Sequence, residues 1–173
     1  NIAQYWLSYI DALIKLDRIE DAKAVFDQAK SKGAKGDGFD QLESKLARIT
    51  KIEDEQTDNK ILKKAIDLRE AGNYNEAIDL LLNQTKLSPT NPNILSVLSH
   101  CCILDDNLER AKIYLDAAKN INPKSASVGF NEARLFLKQN KVDKALTLAT
   151  RTNKLFPDHI EGMVVLGSCL RTN

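Results

Sequence analysis

The sequence predicts an all-α fold, a solenoid of stacked antiparallel helix pairs. Three observations predict it. Glycine (7) and proline (4) are scarce among the 173 residues, and β-branched residues form no alternating runs, which favours helices over strands. The chain aligns on itself with a shift of 34 residues, bringing Ala77, Ala111 and Ala145 into one column and Pro89, Pro123 and Pro157 into another. A fixed period of this length is the signature of a repeat array. Between these landmarks the apolar residues recur at helical spacing.

Each unit reads as helix, tight turn, helix, loop. Ala65, Ser99, Ala133 and Gly167 form a column of small residues. Small side chains let two helices approach closely, and bulk there would cost roughly 1–3 kcal/mol in overpacking. Leu68, Cys102, Phe136 and Leu170 form an apolar column. Gly72, Asp106 and Asn140 suit the turn, because Gly, Asp and Asn tolerate left-handed backbone angles. Tyr74, Leu108 and Val142 follow two residues later. Asn73 with Glu76 has the form of a capping box, and Asp158 with Glu161 repeats it before the last helix. The prolines stand where each second helix must stop.

The units fall at residues 58–91, 92–125 and 126–159, with 160–173 supplying a first helix alone. An earlier copy occupies residues 1–36, where Trp6, Leu13, Ile19, Ala22, Phe26 and Ala29 repeat the spacings. It departs in placing Ile10 at the small site and Asp17 at the turn, so looser packing is expected there. Residues 37–57 are extra. Phe39, Leu42, Leu46 and Ile49 share one face of a short inserted helix, and Glu53, Asp54 and Glu55 mark a charged linker. Two blocks are therefore expected, up to residue 50 and from residue 58.

The arrangement resembles the tetratricopeptide repeat, whose small, aromatic, glycine, alanine and proline landmarks come in this order. The resemblance implies a right-handed superhelical solenoid whose first helices line a concave side. It also implies a non-enzymatic role, the concave side holding an extended peptide or a partner's helix. The face opposite the small column then looks into the groove. Asn93, Ser96, His100 and Ser127 are its polar candidates. Phe130 and Leu137, with Ile103 and Leu104, form an apolar strip, and Arg134, Lys138 and Arg171 add positive charge beside it. An amphipathic or acidic segment is the expected occupant, with aromatic and arginine anchors. The alternative is that the apolar members pack between helices. Gly129 leaves a gap beside Phe130; either Phe130 folds back into it, the favoured reading, or the gap belongs to a pocket. The carboxylate clamp of some family members is not expected: its positions hold Leu62, Ile66, Val97, Ser127 and Asn131 in one register and Ser96, His100, Asn131, Glu161 and Val165 in the next, where only Asn131 fits.

Several function classes are disfavoured. Twenty-five Lys and Arg against 24 Asp and Glu give no electrostatic case for nucleic acid. No apolar run approaches a membrane span, and the first residues lack the order of a signal peptide. His100 and His159 stand alone, Cys101 and Cys102 are adjacent rather than spaced as ligands, and Gly33 to Gly38 lacks the ending of a phosphate loop. No cofactor or metal is expected. Cys101, Cys102 and Cys169 lie in apolar helical stretches, where thiols behave as small hydrophobes. That favours a reducing compartment, the cytoplasm; a periplasmic location would require a removed signal peptide.

Ile160 to Leu170 is apolar nearly all round, whereas a terminal repeat needs a polar outer face. The expectation is an array that continues past Asn173, or an end that pairs with another copy. Residues 6–16, Trp-Leu-Ser-Tyr-Ile-Asp-Ala-Leu-Ile-Lys-Leu, are similar to the repeat regions of large bacterial proteins. There such arrays precede a glycosyltransferase, sulfotransferase or methyltransferase domain. That resemblance implies a recruiting arm of a transferase whose chemistry lies elsewhere.

Overall fold

A computed structural model of the chain describes residues 2–171. Its helices are α1 (Ile2–Lys15), α2 (Ile19–Ser31), α3 (Asp37–Glu70), α4 (Tyr74–Leu87), α5 (Pro92–Leu104), α6 (Leu108–Ile121), α7 (Ala126–Lys138), α8 (Val142–Leu155) and α9 (Ile160–Arg171). Among the described residues there is no strand. The period reappears in the helix ends: α4, α6 and α8 start and stop at 34-residue intervals, as do α5 and α7. The chain divides between Thr57 and Asp58 into two compact units.

The turn column works through backbone geometry. Asp17, Asp106 and Asn140 have φ of 59°, 61° and 62°, and Gly72 has 83°. Each left-handed residue lets the next amide reach back over the helix end. Arg18 N donates to Leu13 O at 3.0 Å, and Asn73, Asn107 and Lys141 donate to Leu68, Cys102 and Phe136 at 2.9 Å. These are the closing bonds of a Schellman motif. The departure at Asp17 therefore leaves the turn intact. Pro89, Pro123 and Pro157 each stand two residues past a helix end, where a missing N–H costs the helix nothing.

Capping differs from expectation. The Asn73 side chain makes no capping bond, although Asn107 at the equivalent position accepts from Arg110 N at 3.3 Å. The backbone angles of the two match closely, so the difference lies in the side-chain rotamer. Glu161 turns away from the α9 start to pair with Arg134. Asn91 supplies the other side-chain cap, accepting from Asn93 N at 3.0 Å and Ile94 N at 3.4 Å.

In the first unit, Ile10, Leu13, Ala22, Phe26 and Ala29 pack with Phe39, Leu42 and Leu46 of α3. Ile10 is fully buried, so the large residue at the small site is accommodated. Gly38 lies against Leu7 where α3 begins: a Cβ there would lie 2.8 Å from Leu7 Cδ1, so the leucine tip would have to shift. The expected linker is absent. Residues 51–57 are helical and exposed, lying inside α3. Charge without Gly or Pro does not break a helix, and Lys, Glu and Gln are good helix formers.

In the second unit, α5 packs on α4, α6 and α7, and α7 packs on α5, α6, α8 and α9. Ala65, Ser99 and Ala133, with Ala77, Ala111 and Ala145, have no exposed surface. The helices come close enough for Ser99 Oγ to donate to Ala111 O at 2.9 Å. Buried Asp58 anchors the unit's first repeat. Its carboxylate accepts from Gln84 Nε2 at 2.7 Å, Ser88 Oγ at 3.0 Å and Asn91 Nδ2 at 2.7 Å. It thereby ties the last turn of α4 to the cap of α5.

Candidate functional site

The first helices of the second unit present a hollow in two adjoining parts. Its narrower part, about 250 Å³, lies among Leu62, Ile66 and Arg69 of α3, Asn93, Ser96, Val97 and His100 of α5, and Ser127 and Asn131 of α7. Its wider part, about 580 Å³, is lined by Ile103 and Leu104 of α5, Arg134, Leu137 and Lys138 of α7, and Ile160, Val164, Val165 and Ser168 of α9. Arg69, His100 and Glu161 border both.

A polar chain crosses the floor between them. Asn131 Nδ2 donates to Ser96 O at 2.8 Å, and its Oδ1 accepts from Arg134 Nη1 at 2.9 Å. Arg134 Nη1 also lies 3.2 Å from Glu161 Oε2. Arg69 Nη1 is 3.0 Å from His100 Nδ1. Because the guanidinium can only donate, Nδ1 is the acceptor and the imidazole proton sits on Nε2. Burial, then Arg134, then Arg69 hold His100 neutral, its pKa pushed down to about 2. Burial also lowers the pKa of Arg134, opposed by Glu161. Lys138 Nζ reaches Asp106 Oδ1 at 3.1 Å.

Of the residues singled out from sequence, Asn93, Ser96, His100, Ser127, Arg134, Leu137 and Lys138 line this hollow. Phe130 does not. It is completely buried, with its ring 5.3 Å from that of His159 and against Gly162, where a Cβ would lie 3.0 Å from Phe130 Cζ. Nor does Phe130 fill the gap at Gly129. Thr152 does, its Oγ1 lying 2.5 Å from where a Cβ of residue 129 would be. Arg171, the last described residue, is exposed and lines neither part. The positive charge expected beside the strip is largely matched, since Arg134 and Lys138 have carboxylate partners.

Residues 68–129 match the tetratricopeptide repeat family. That segment carries tetratricopeptide repeat sequence. No curated protein matches it in sequence. Solved structures similar to it include the first tetratricopeptide domain of Spaghetti (RPAP3) bound to the HSP90 peptide SRMEEVD: 18% identity, 64% of this chain and 88% of that one, TM-score 0.53. Another is the Yersinia enterocolitica type III secretion chaperone SycD with a peptide of the translocator YopD: 14% identity, 68% and 96% coverage, TM-score 0.53. The Thermobaculum terrenum O-GlcNAc transferase matches at 20% identity over 68% of this chain and 22% of that one, TM-score 0.59. At such identities the likeness establishes the fold.

Arg69, in the same repeat column as Ile103 and Leu137, and Asn131, at a clamp position, also line the hollow. Asn131 is a buried amide, and buried amides need partners. Arg69 lies in a groove column of the repeat, 31 residues before His100. Without depth, a period cannot tell a floor residue from a rim residue.

Proposed function

We propose that this chain is a non-catalytic module that holds an extended peptide or partner helix along the groove of α3, α5, α7 and α9. The observation carrying the reading is the mixed character of the two-part hollow. Apolar Ile103, Leu104, Leu137 and Val164 lie beside a hydrogen-bonded polar floor. Such a surface takes apolar side chains into pockets and fixes a main chain by polar contacts. The peptide-bound Spaghetti and SycD domains support it by fold. The buried thiols of Cys101 and Cys102, with pKa values raised by burial, fit a reducing compartment.

The test is selection from a random dodecapeptide library on the full chain. Leu137→Asp should weaken the selected peptides by about tenfold or more, the loss of an anchor, with helical content unchanged. Ile113→Lys, on the exposed side of α6, should leave them unaffected. Equal binding by all three proteins would remove the groove from consideration.

A second reading, self-association, is favoured by the exposure of Met163 (71%), Val164 (58%) and Leu170 (65%) on α9. Sedimentation at increasing concentration tests it, with Met163→Lys expected to shift the mass towards monomer. The finer reading, a recruiting arm of a bacterial transferase, has the transferase likeness in its favour. It is tested by whether the reading frame runs into a catalytic domain.

A further inference from the structure

Arg69 and Arg134 are equally withdrawn from water, their side chains 14% and 13% exposed. They are not equally compensated. Arg134 has Glu161 at 3.2 Å and Asn131 at 2.9 Å. For Arg69 the nearest carboxylate among the described residues is Glu70 at 3.7 Å. That is beyond a good hydrogen bond, on a side chain 68% exposed. The bond Arg69 makes goes to a neutral imidazole, which satisfies one of its five N–H groups. A buried guanidinium whose carboxylate partner stands 3.7 Å away and mostly in water regains little of the hydration it loses. Arg134 and Arg69 also repel each other across His100.

Position adds the second half of the argument. Arg69 borders both parts of the hollow, so a chain lying along the groove passes over it. Leu62 and Ile66 lie on one side; Ile103, Leu104 and Leu137 lie on the other. We propose that Arg69 receives a carboxylate of the bound peptide, selecting segments with an acidic group flanked on both sides by apolar residues. This rests on the groove reading above. Arg matches a carboxylate with two parallel N–H···O bonds, giving direction as well as charge. His100, fixed as the Nε2–H tautomer by its bond to Arg69, adds a neutral donor without adding a competing cation.

The experiment is the same dodecapeptide selection on the full chain and on Arg69→Gln, followed by a double-mutant cycle. The cycle pairs Arg69→Gln with Glu→Gln in a synthetic selected peptide. The wild type should enrich acidic residues between apolar ones. On the wild type, the peptide's Glu→Gln change should weaken binding about ten- to a hundredfold, the scale of a charge-assisted hydrogen bond. On Arg69→Gln it should make little difference. Amidating the peptide's C-terminus tells whether the carboxylate is a side chain or a chain end. Acidic enrichment that persists on Arg69→Gln, or additive losses in the cycle, overturns the assignment to Arg69. Apolar peptides captured equally by both proteins would also overturn it, while leaving the groove reading standing. A wild type that captures no peptide brings down both. The peptide-side change keeps the cycle readable independently of any effect of Arg69→Gln on stability.

Discussion

At the residue scale, His100 links the groove to the stability of the fold. It is buried between two guanidinium groups and stays neutral. Its pKa in the folded chain is lowered, so the unfolded chain takes up the proton first as pH falls. The stabilisation is complete above the unfolded value near 6.5 and is lost progressively below it, towards about 2. Between pH 7 and pH 5 the wild type should therefore lose roughly 1–2 kcal/mol through this group. His100→Gln keeps an acceptor for Arg69 but does not titrate. Its urea-unfolding free energy should be flatter over the same interval, and parallel curves for the two proteins would sink the assignment. The 34-residue period sets His100 and Arg134 in one column but does not show that Arg69 bonds the ring. Arg69 precedes it by 31 positions and Arg134 follows by 34, and only packing brings both to one ring. Phe130 fails for the same reason: a column assigns a face, and its neighbour Gly162 decides whether the ring turns inward.

At the element scale, the pattern of helices and turns was open to reading because its determinants are local. A residue that tolerates left-handed φ, a proline past the helix end and a small residue at the crossing act within one repeat. Linkers and caps were harder. Residues 51–57 carry charge, which suits a solvated helix as well as a loop. Gly129 shows how one element shapes the next. It stands in the middle of α7, where alanine would gain up to about 1 kcal/mol of helix propensity. The added methyl would meet Thr152 of α8 at 2.5 Å for Oγ1 and 3.2 Å for Cβ, and Thr152 is itself buried. Gly129→Ala should therefore destabilise by roughly 1–3 kcal/mol, the range for overpacking. Gly129→Ala combined with Thr152→Ala should recover at least about 1 kcal/mol relative to the sum of the single changes. Additive effects in urea unfolding would mean that the two helices separate rather than share the space.

At the scale of the second unit, stability is a matter of neighbours. In a stack each helix pair contacts only those beside it, so stability is a sum of repeat and interface contributions. Here α5 has α3, α4, α6 and α7 against it, and α7 has α5, α6, α8 and α9, whereas among the described residues α9 packs on α7 and α8. The burial follows the same order. Nine residues of α5 are buried, against three of α9. At Gly167 of α9, a Cβ would meet nothing within 4 Å, while Ser99 and Ala133 in the same column are fully enclosed. Backbone amides open through local unfolding with free energies that follow such packing. Hydrogen exchange should therefore be slowest in α5 and the facing side of α7, and fastest in α9. Val165→Ala, in the one well-covered stripe of α9, should speed exchange in α9 alone. Leu98→Ala, at the centre of α5, should cost about 2–5 kcal/mol and raise exchange across the array. A gradient running the other way, with α9 the most protected helix, would mean that its apolar face is covered in solution. It would then favour the self-associated form over an open end.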